Sequence, residues 1–299
     1  MDTRSSIHNL NLNRRAVVTG IAAGTLMAAG ALANTAASPA GQSPANALAG
    51  QASPQASPAA SPIASNAVTV VLMHGAWADG ASWSGVIGRL QAAGIPVIAP
   101  ANPLRGIASD AAYLTGLLGV IPGRVLLVGH SYGGAVITAA APMASNVVGL
   151  VYAAAFAPDE GEVILDVLGK FTPTALGTSL RPTTAATDPL KVEVVIDAAT
   201  FPQIFAADLP AETSAIMAVS QRPIAASAFA EPAPAAGWKT LPSWYALTTK
   251  DQALGVEVEN FYAKRAGSTI VEVDSSHAIA VSNPQAVVDV ITTALGTLG

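Results

Sequence analysis

Ser131 lies in a sequence pattern that is typical of an activated serine nucleophile. The pattern Gly-His-Ser-Tyr-Gly occupies residues 129–133, follows an apolar run at 125–128 and precedes a run of small residues at 135–144. A buried strand, a tight turn and a helix in this order form a nucleophile elbow, which lifts a serine hydroxyl above the edge of a parallel sheet. We therefore predict that Ser131 is a nucleophile held in a strained backbone conformation.

A serine hydroxyl near neutral pH needs an adjacent base, and the four histidines narrow the choice. His8 lies in the N-terminal segment, and His74 follows the first apolar run of the folded part, where we expect it to stabilise a loop. His130 lies inside the turn, where we expect its side chain to point away from the face of the nucleophile. His277 lies in a loop near the C-terminus. We predict that His277 is the base.

The base needs an acid that fixes its tautomer and stabilises the imidazolium ion. Asp251 follows an apolar run that ends at residue 248, so its carboxylate is expected at the end of a strand. Asp159, which follows the preceding apolar run, is the competing candidate. The position of Asp251 between the serine and the histidine, directly after a strand, favours it.

The oxyanion formed during attack on a carbonyl needs hydrogen-bond donors that are already in place. One donor is expected to be the backbone N–H of Tyr132, the residue after the nucleophile. The other is expected in the loop after the first strand, at the backbone N–H of Ala76.

Alternating strand and helix patterns predict an α/β fold with a parallel sheet that carries these residues. The predicted strands are 68–73, 97–99, 125–128, 147–154, 244–248 and 269–273, and the predicted helices are 83–93, 107–118, 135–144, 258–266 and 283–295. Nine prolines interrupt residues 157–237, where we expect a short helix at 211–220 and a small hairpin around 192–196. We predict a core of residues 67–156 and 238–299, with 157–237 inserted as a cap.

The first 66 residues have the composition of a targeting segment and a linker. Arg14 and Arg15 precede a mildly apolar run that ends in Ala-Leu-Ala at residues 31–33, a pattern typical of a cleavable export signal. The paired arginines predict the bacterial twin-arginine route, with the general secretory route and a membrane anchor as alternatives. Residues 34–66 are rich in Ala, Ser, Pro and Gln, which predicts a disordered linker. We expect an exported protein with no membrane span after cleavage.

The composition excludes several classes of function. The sequence has no cysteine, which excludes disulfides, thiolate metal sites and cysteine nucleophiles. A net charge of −5, without a basic cluster in the folded part, argues against nucleic-acid partners. We found no metal or cofactor motif, so we expect a protein that needs neither.

Four sequence motifs resemble those of the α/β hydrolase superfamily, in particular those of bacterial serine esterases related to plant methylesterases and hydroxynitrile lyases. They are HGAWADGASW at 74–83, GHSYGG at 129–134, TKD at 249–251, and His277 with Asn-Pro at 283–284. The resemblance covers residues 67–299 and implies the α/β-hydrolase fold with the order Ser131, Asp251, His277. The lyases carry a lysine after the histidine, whereas this chain has Ala278. Relatives that open epoxides use an aspartate in place of Ser131.

The predicted cap is poor in polar residues, which favours a small, mainly apolar ester or a lactone as the substrate. The residues expected to line an apolar pocket are Phe156, Phe171, Phe201, Ile204, Phe205, Met217 and Phe229. The leading hypothesis is an exported carboxylic-ester hydrolase that forms an acyl-enzyme. The alternatives are a ligand-binding protein on a hydrolase scaffold and a peroxide-dependent activity on the same triad.

Overall fold

A computed structural model describes residues 67–183 and 192–299 of the chain. The predicted export signal at 1–33 and the predicted linker at 34–66 lie outside these residues. So does part of the predicted cap, residues 184–191. Among the described residues, no helix has the length and apolar character that crossing a lipid bilayer requires.

Within the described ranges, six strands form one parallel sheet in the order β2-β1-β3-β4-β8-β9. Its strands are β1 (Thr69–Met73), β2 (Val97–Ile98), β3 (Val125–His130), β4 (Val147–Ala153), β8 (Ser243–Thr248) and β9 (Thr269–Val273). The inner strands β1, β3 and β8 are buried along their whole length, as their continuous apolar runs require. The carboxyl ends of the strands therefore meet along one edge of the sheet.

Helices cover both faces of this sheet. The helices of the sheet layers are α1 (Ser84–Ala92), α2 (Ile107–Leu118), α3 (Tyr132–Ala140), α8 (Val256–Arg265), α9 (Ile279–Ser282) and α10 (Pro284–Leu298). One apolar cluster packs α2 and α3 on one face, and a second packs α1 and α10 on the other. The predicted α/β fold class, with a parallel sheet between helices, is confirmed.

The chain between β4 and β8 has short elements that do not join the main sheet. They are α4 (Ile164–Leu168), α5 (Leu176–Ser179), β5 (Leu180–Pro182), β6 (Glu193–Ile196), α6 (Phe201–Phe205), α7 (Ala211–Val219) and β7 (Ile224–Ala225). The strand predicted as part of a hairpin, β6, is instead the centre of a three-stranded antiparallel sheet with the order β5-β6-β7. Its partner β7 lies well beyond the reach of a hairpin turn, so local sequence did not reveal the pairing.

Candidate active site

Ser131 lies between β3 and α3 with a backbone conformation that L-residues rarely adopt. Its φ is 53° and its ψ is −124°, and its carbonyl oxygen accepts hydrogen bonds from the N–H groups of Gly134 (2.9 Å) and Phe156 (3.1 Å). These contacts fix the turn and hold the strained residue at the end of a central strand. Ser131 is only 2% exposed.

The turn is tight enough to exclude a side chain at the glycines around the serine. A Cβ added to Gly133 would lie 2.3 Å from the carbonyl oxygen of Met73, and one added to Gly134 would lie 2.4 Å from that of Phe156. Both obstacles are backbone atoms, which cannot rotate away. The glycines therefore allow α3 to approach β1 and the loop after β4.

His277 and Asp251 lie together in the loops that follow the neighbouring strands β9 and β8. The imidazole Nδ1–H donates a hydrogen bond of 2.6 Å to Oδ2 of Asp251, and both side chains are fully buried. Oδ1 of Asp251 accepts the backbone N–H groups of Ala253 (2.6 Å) and Leu254 (2.9 Å). The structure therefore brings the predicted base and the predicted acid into direct contact.

Asp251 is held in its ionised form by its hydrogen-bond donors. Burial acts to raise its pKa, but the charge and hydrogen bond of His277, with further hydrogen bonds from Glu259 and Ala253, outweigh burial and lower the pKa below its ordinary value. An ionised carboxylate on Nδ1 keeps the proton on that nitrogen and leaves Nε2 of His277 as the acceptor.

Nε2 of His277 is buried and has no hydrogen-bond partner in the part of the chain that the structure describes. Ser131 and His277 are thus not hydrogen-bonded in this conformation, although Nε2 could accept a hydrogen bond from the Ser131 hydroxyl. Hydrogen bonds of this kind are often formed only when substrate is bound. Nε2 is the atom through which His277 would act as the predicted base.

Asp159, the competing candidate for the acid, lies away from the histidine. Its carboxylate forms an ion pair with Lys239 and accepts the N–H of Glu160. Burial acts to raise the pKa of Asp159, but these contacts lower it below its ordinary value. The surface ion pair gives Asp159 a local structural role.

The two candidate oxyanion donors flank the serine. Tyr132 is the first residue of α3, so its N–H belongs to the first turn, where helices leave N–H groups unpaired. Ala76 is 1% exposed in the loop after β1. In the same loop, a Cβ added to Gly75 would lie 2.7 Å from Cβ of Ser131, so the loop passes directly against the serine.

The side chain of Tyr132 links the start of α3 to helix α2. Its hydroxyl donates a hydrogen bond of 2.9 Å to Oδ2 of the buried Asp110 on α2. Burial, reinforced by the negative charge of Asp110, raises the pKa of Tyr132, which keeps the hydroxyl as a donor.

His74 is held within the loop after β1. Its Nε2 accepts the N–H of Asn102 at 2.8 Å, and its Nδ1 lies 2.9 Å from the carbonyl oxygen of Gly75. Burial lowers its pKa to about 4, so the ring is neutral at neutral pH. These contacts give His74 the loop-stabilising position expected from the sequence.

His130 does not point away from the site as expected. Its ring centroid lies 4.8 Å from that of His277, and its Nε2–H donates to the carbonyl oxygen of His277 at 2.8 Å. Burial, followed by the charge of His277, lowers the pKa of His130 to about 3. His130 is thus a neutral support for the backbone of His277.

Segment 154–242, between β4 and β8, contributes aromatic side chains and two anchors to the site. The ring of Phe205 packs edge-on against His277, with 4.7 Å between the ring centroids. Phe229 stacks on Trp77 of the loop after β1, with 6.0 Å between the centroids. The backbone φ of Trp77 is 60°. The indole N–H of Trp77 donates to the carbonyl of Val194 at 3.0 Å.

The second anchor joins this segment to the loop that carries His277. The Asp208 carboxylate accepts hydrogen bonds from the N–H of Ser276 at 2.9 Å and from the hydroxyl of Ser275 at 3.1 Å. Not every aromatic residue predicted to line the site reaches it, since Phe171 packs against Phe261 of α8. Sequence reasoning missed the site roles of His130, Asp208 and Trp77.

Comparison with known proteins gives a family match and a partial relative. The family described as "Alpha/beta hydrolase family" matches residues 70–290. The chain is 36% identical over 119 residues to a carbendazim hydrolyzing esterase of Nocardioides. That match spans 34% of this chain and 48% of the esterase.

Several solved structures share the fold. An Arabidopsis methylesterase is 20% identical with a TM-score of 0.65, over 77% of this chain and 99% of that one. Polyneuridine aldehyde esterase is 17% identical with a TM-score of 0.67, over 77% and 100%. A pyrethroid hydrolase from Sphingobium faniae is 21% identical with a TM-score of 0.61, over 76% and 97%.

Proposed function

Because the chain belongs to the alpha/beta hydrolase family, we propose that it is a serine esterase that cleaves small, mainly apolar carboxylic esters through Ser131, His277 and Asp251. The observation that carries the proposal is the pairing of His277 with Asp251 at the same edge of the sheet as the strained Ser131. The partial relative and the structural neighbours, which are named as esterases and hydrolases, support this class of reaction.

The proposed reaction has two stages that use the same groups. Nε2 of His277 takes the proton of Ser131 as its Oγ attacks the ester carbonyl, and the N–H groups of Ala76 and Tyr132 stabilise the oxyanion. The alcohol leaves with the proton from His277. Water then attacks the acyl-enzyme with the same help and releases the acid. Asp251 stabilises the imidazolium ion in both stages.

The side chains around the site support an apolar substrate. Phe205 packs against His277, Trp77 packs against Phe205, and Phe229 stacks on Trp77. The Asp251 carboxylate is buried and paired with His277. Apolar walls with few polar groups suit an uncharged ester.

Hydrolysis of p-nitrophenyl esters from acetate to octanoate tests the proposal. We expect the purified protein to turn over at least one member of the series, and Ser131→Ala to reduce that turnover by about 10⁴-fold or more. Ser82→Ala, a serine in the loop after β1, is the matched control and should retain full turnover. An Ser131→Ala protein that keeps more than a few per cent of the activity would contradict the assignment of the nucleophile.

We also propose that the protein is exported, on the basis of Arg14, Arg15 and the apolar run that follows them. Replacement of both arginines by lysine should leave the protein in the cytoplasm if the twin-arginine route is used. Fractionation of cells that express each form makes the comparison, and normal export of the lysine variant would point to the general secretory route.

A further inference from the structure

Glu259 is a fully buried carboxyl group behind the proposed triad. It lies on α8, and its Oε2 accepts the backbone N–H of Thr248 at 3.0 Å. The hydroxyl of Thr248 also contacts its carboxyl. Glutamate is almost never fully buried without a partner. The remaining partner is Asp251, to which the Glu259 side chain is hydrogen-bonded.

Two carboxyl groups can form a hydrogen bond only when one of them carries a proton, because two buried carboxylates in contact repel each other strongly. Asp251 is the better anion of the pair, since the imidazole of His277 and the N–H groups of Ala253 and Leu254 all donate to it. Burial and the adjacent negative charge of Asp251 raise the pKa of Glu259 well above its ordinary value. The proton therefore belongs to Glu259.

We propose, on the basis of the proposed esterase mechanism, that Glu259 is a positioning residue that donates a hydrogen bond as a neutral acid to Asp251. A carboxylate offers about four acceptor sites. His277 and two backbone N–H groups occupy three of them, and the proton of Glu259 occupies the fourth. The hydrogen bonds from Thr248 fix Glu259 to β8, so the orientation of Asp251 toward His277 is tied to the sheet itself.

Three variants separate this role from simple packing. Glu259→Gln keeps a donor toward Asp251 and an acceptor for Thr248, so we expect kcat/KM for the best p-nitrophenyl ester to stay within about threefold of wild type. Glu259→Leu removes the donor, and we expect kcat to fall about 10- to 100-fold with little change in KM, the range associated with loss of a hydrogen bond to a charged group. Glu257→Gln, an exposed residue of the same helix, should have no effect.

The outcome that overturns the proposal is specific. A folded Glu259→Leu protein with wild-type kcat would show that Asp251 needs no donor from α8. Equal damage in Glu259→Gln and Glu259→Leu would show that the carboxyl acts by its charge rather than as a donor.

Infrared difference spectroscopy tests the protonation state without relying on activity. At neutral pH, the spectrum of the full protein minus that of Glu259→Gln should contain the carbonyl stretch of a neutral carboxylic acid. The Glu257→Gln difference should contain carboxylate bands instead. Carboxylate bands in the Glu259→Gln difference would overturn the proposal. Failure of the Ser131→Ala test would refute the esterase mechanism but leave this spectroscopic result unchanged.

Discussion

Asp251 shows how the surroundings of one residue assign its chemical role. It receives the Nδ1–H of His277 and two backbone N–H groups, whereas Asp159 is paired with Lys239 at the surface. Both are aspartates that follow strands of the same sheet. Only the first has the buried contacts that keep a carboxylate charged next to an imidazole.

This difference gives a paired mutational prediction. Asp251→Asn removes the charge that holds the His277 tautomer, so we expect kcat to fall by about 10³- to 10⁴-fold. Asp159→Asn loses a surface ion pair and should retain activity, with a stability change of about 1 kcal/mol or less. Ester hydrolysis and thermal unfolding measure both. If Asp251→Asn were active and Asp159→Asn inactive, the assignment of Asp251 would be wrong and Asp159 would be the acid.

The neutral form of Glu259 also makes a prediction about stability and pH. The pKa of Glu259 is raised in the folded protein, so above the ordinary glutamate pKa of about 4.3 the side chain loses its proton when the protein unfolds. Because the unfolded state then binds fewer protons than the folded state, the free energy of unfolding decreases as pH rises. Glutamine does not titrate. The Tm of Glu259→Gln relative to wild type should therefore increase from pH 4 to pH 7.

The comparison between the two proteins isolates Glu259 because the titratable groups that face it, Asp251 with His277 behind it and Tyr245 on β8, are present in both. Calorimetry at a series of pH values measures the difference. A Tm difference that stays constant with pH would contradict the assignment of the proton to Glu259.

At the scale of elements, the elbow brings the backbones of β3, α3 and β1 into close contact. Gly133 lies against the backbone of β1, and the strained Ser131 is held in place by this packing. Helix α3 is buried along its whole length, so it has no free side on which to move away from a larger residue. The geometry of the proposed nucleophile therefore depends on glycines that have no role in the proposed reaction.

A pair of glycine-to-alanine changes tests this dependence. Gly133→Ala would place Cβ 2.3 Å from the Met73 carbonyl oxygen, so we expect a loss of several kcal/mol in stability together with loss of esterase activity. Gly88 lies on the exposed face of α1, and a Cβ added there would have no atom within 4 Å. Gly88→Ala should therefore raise the free energy of unfolding by about 0.5–1 kcal/mol. Thermal unfolding compares the two. A Gly133→Ala protein with wild-type Tm would show that the elbow tolerates a wider turn.

The core strands and the positions of Ser131, Asp251 and His277 after their strands were predictable, because continuous apolar runs and a short motif are local features of a sequence. Helix α2 was predicted with the bounds that the structure has, 107–118. The contacts that support the site were not predictable, since they join distant residues. Asp208 is hydrogen-bonded to Ser276, 68 positions away in the sequence. Glu259 is fully buried, although glutamate is a residue type that is mostly exposed.

At the scale of the whole molecule, the described part of segment 154–242 contacts the loops that carry Trp77 and His277. His277 is completely buried and Ser131 nearly so. Phe205 covers the histidine, while the Asp208 and Trp77 hydrogen bonds fasten the segment to two loops of the core. If Ser131 is the nucleophile of the proposed esterase, we expect some of these contacts to open before an ester can reach it, and we expect this segment to influence which esters are accepted.

Replacing Phe205, which packs against His277, by a smaller residue should change the preference for the length of the acyl chain. We expect Phe205→Leu to raise the ratio of kcat/KM for p-nitrophenyl octanoate to that for acetate. Phe201→Leu, the matched control, removes a ring that stacks on Phe205 without contacting His277 and should leave the ratio near its wild-type value. Equal ratios in all three proteins would show that Phe205 does not limit access.

Active-site labelling with a serine-reactive phosphonate tests the central claim most directly, because only a serine activated by a neighbouring base reacts quickly. Peptide mass spectrometry of the labelled protein should place a single adduct on Ser131. The adduct should be absent from Ser131→Ala and strongly slowed in His277→Ala. An adduct on another serine, or labelling of Ser131 that is as fast in His277→Ala as in wild type, would contradict the triad.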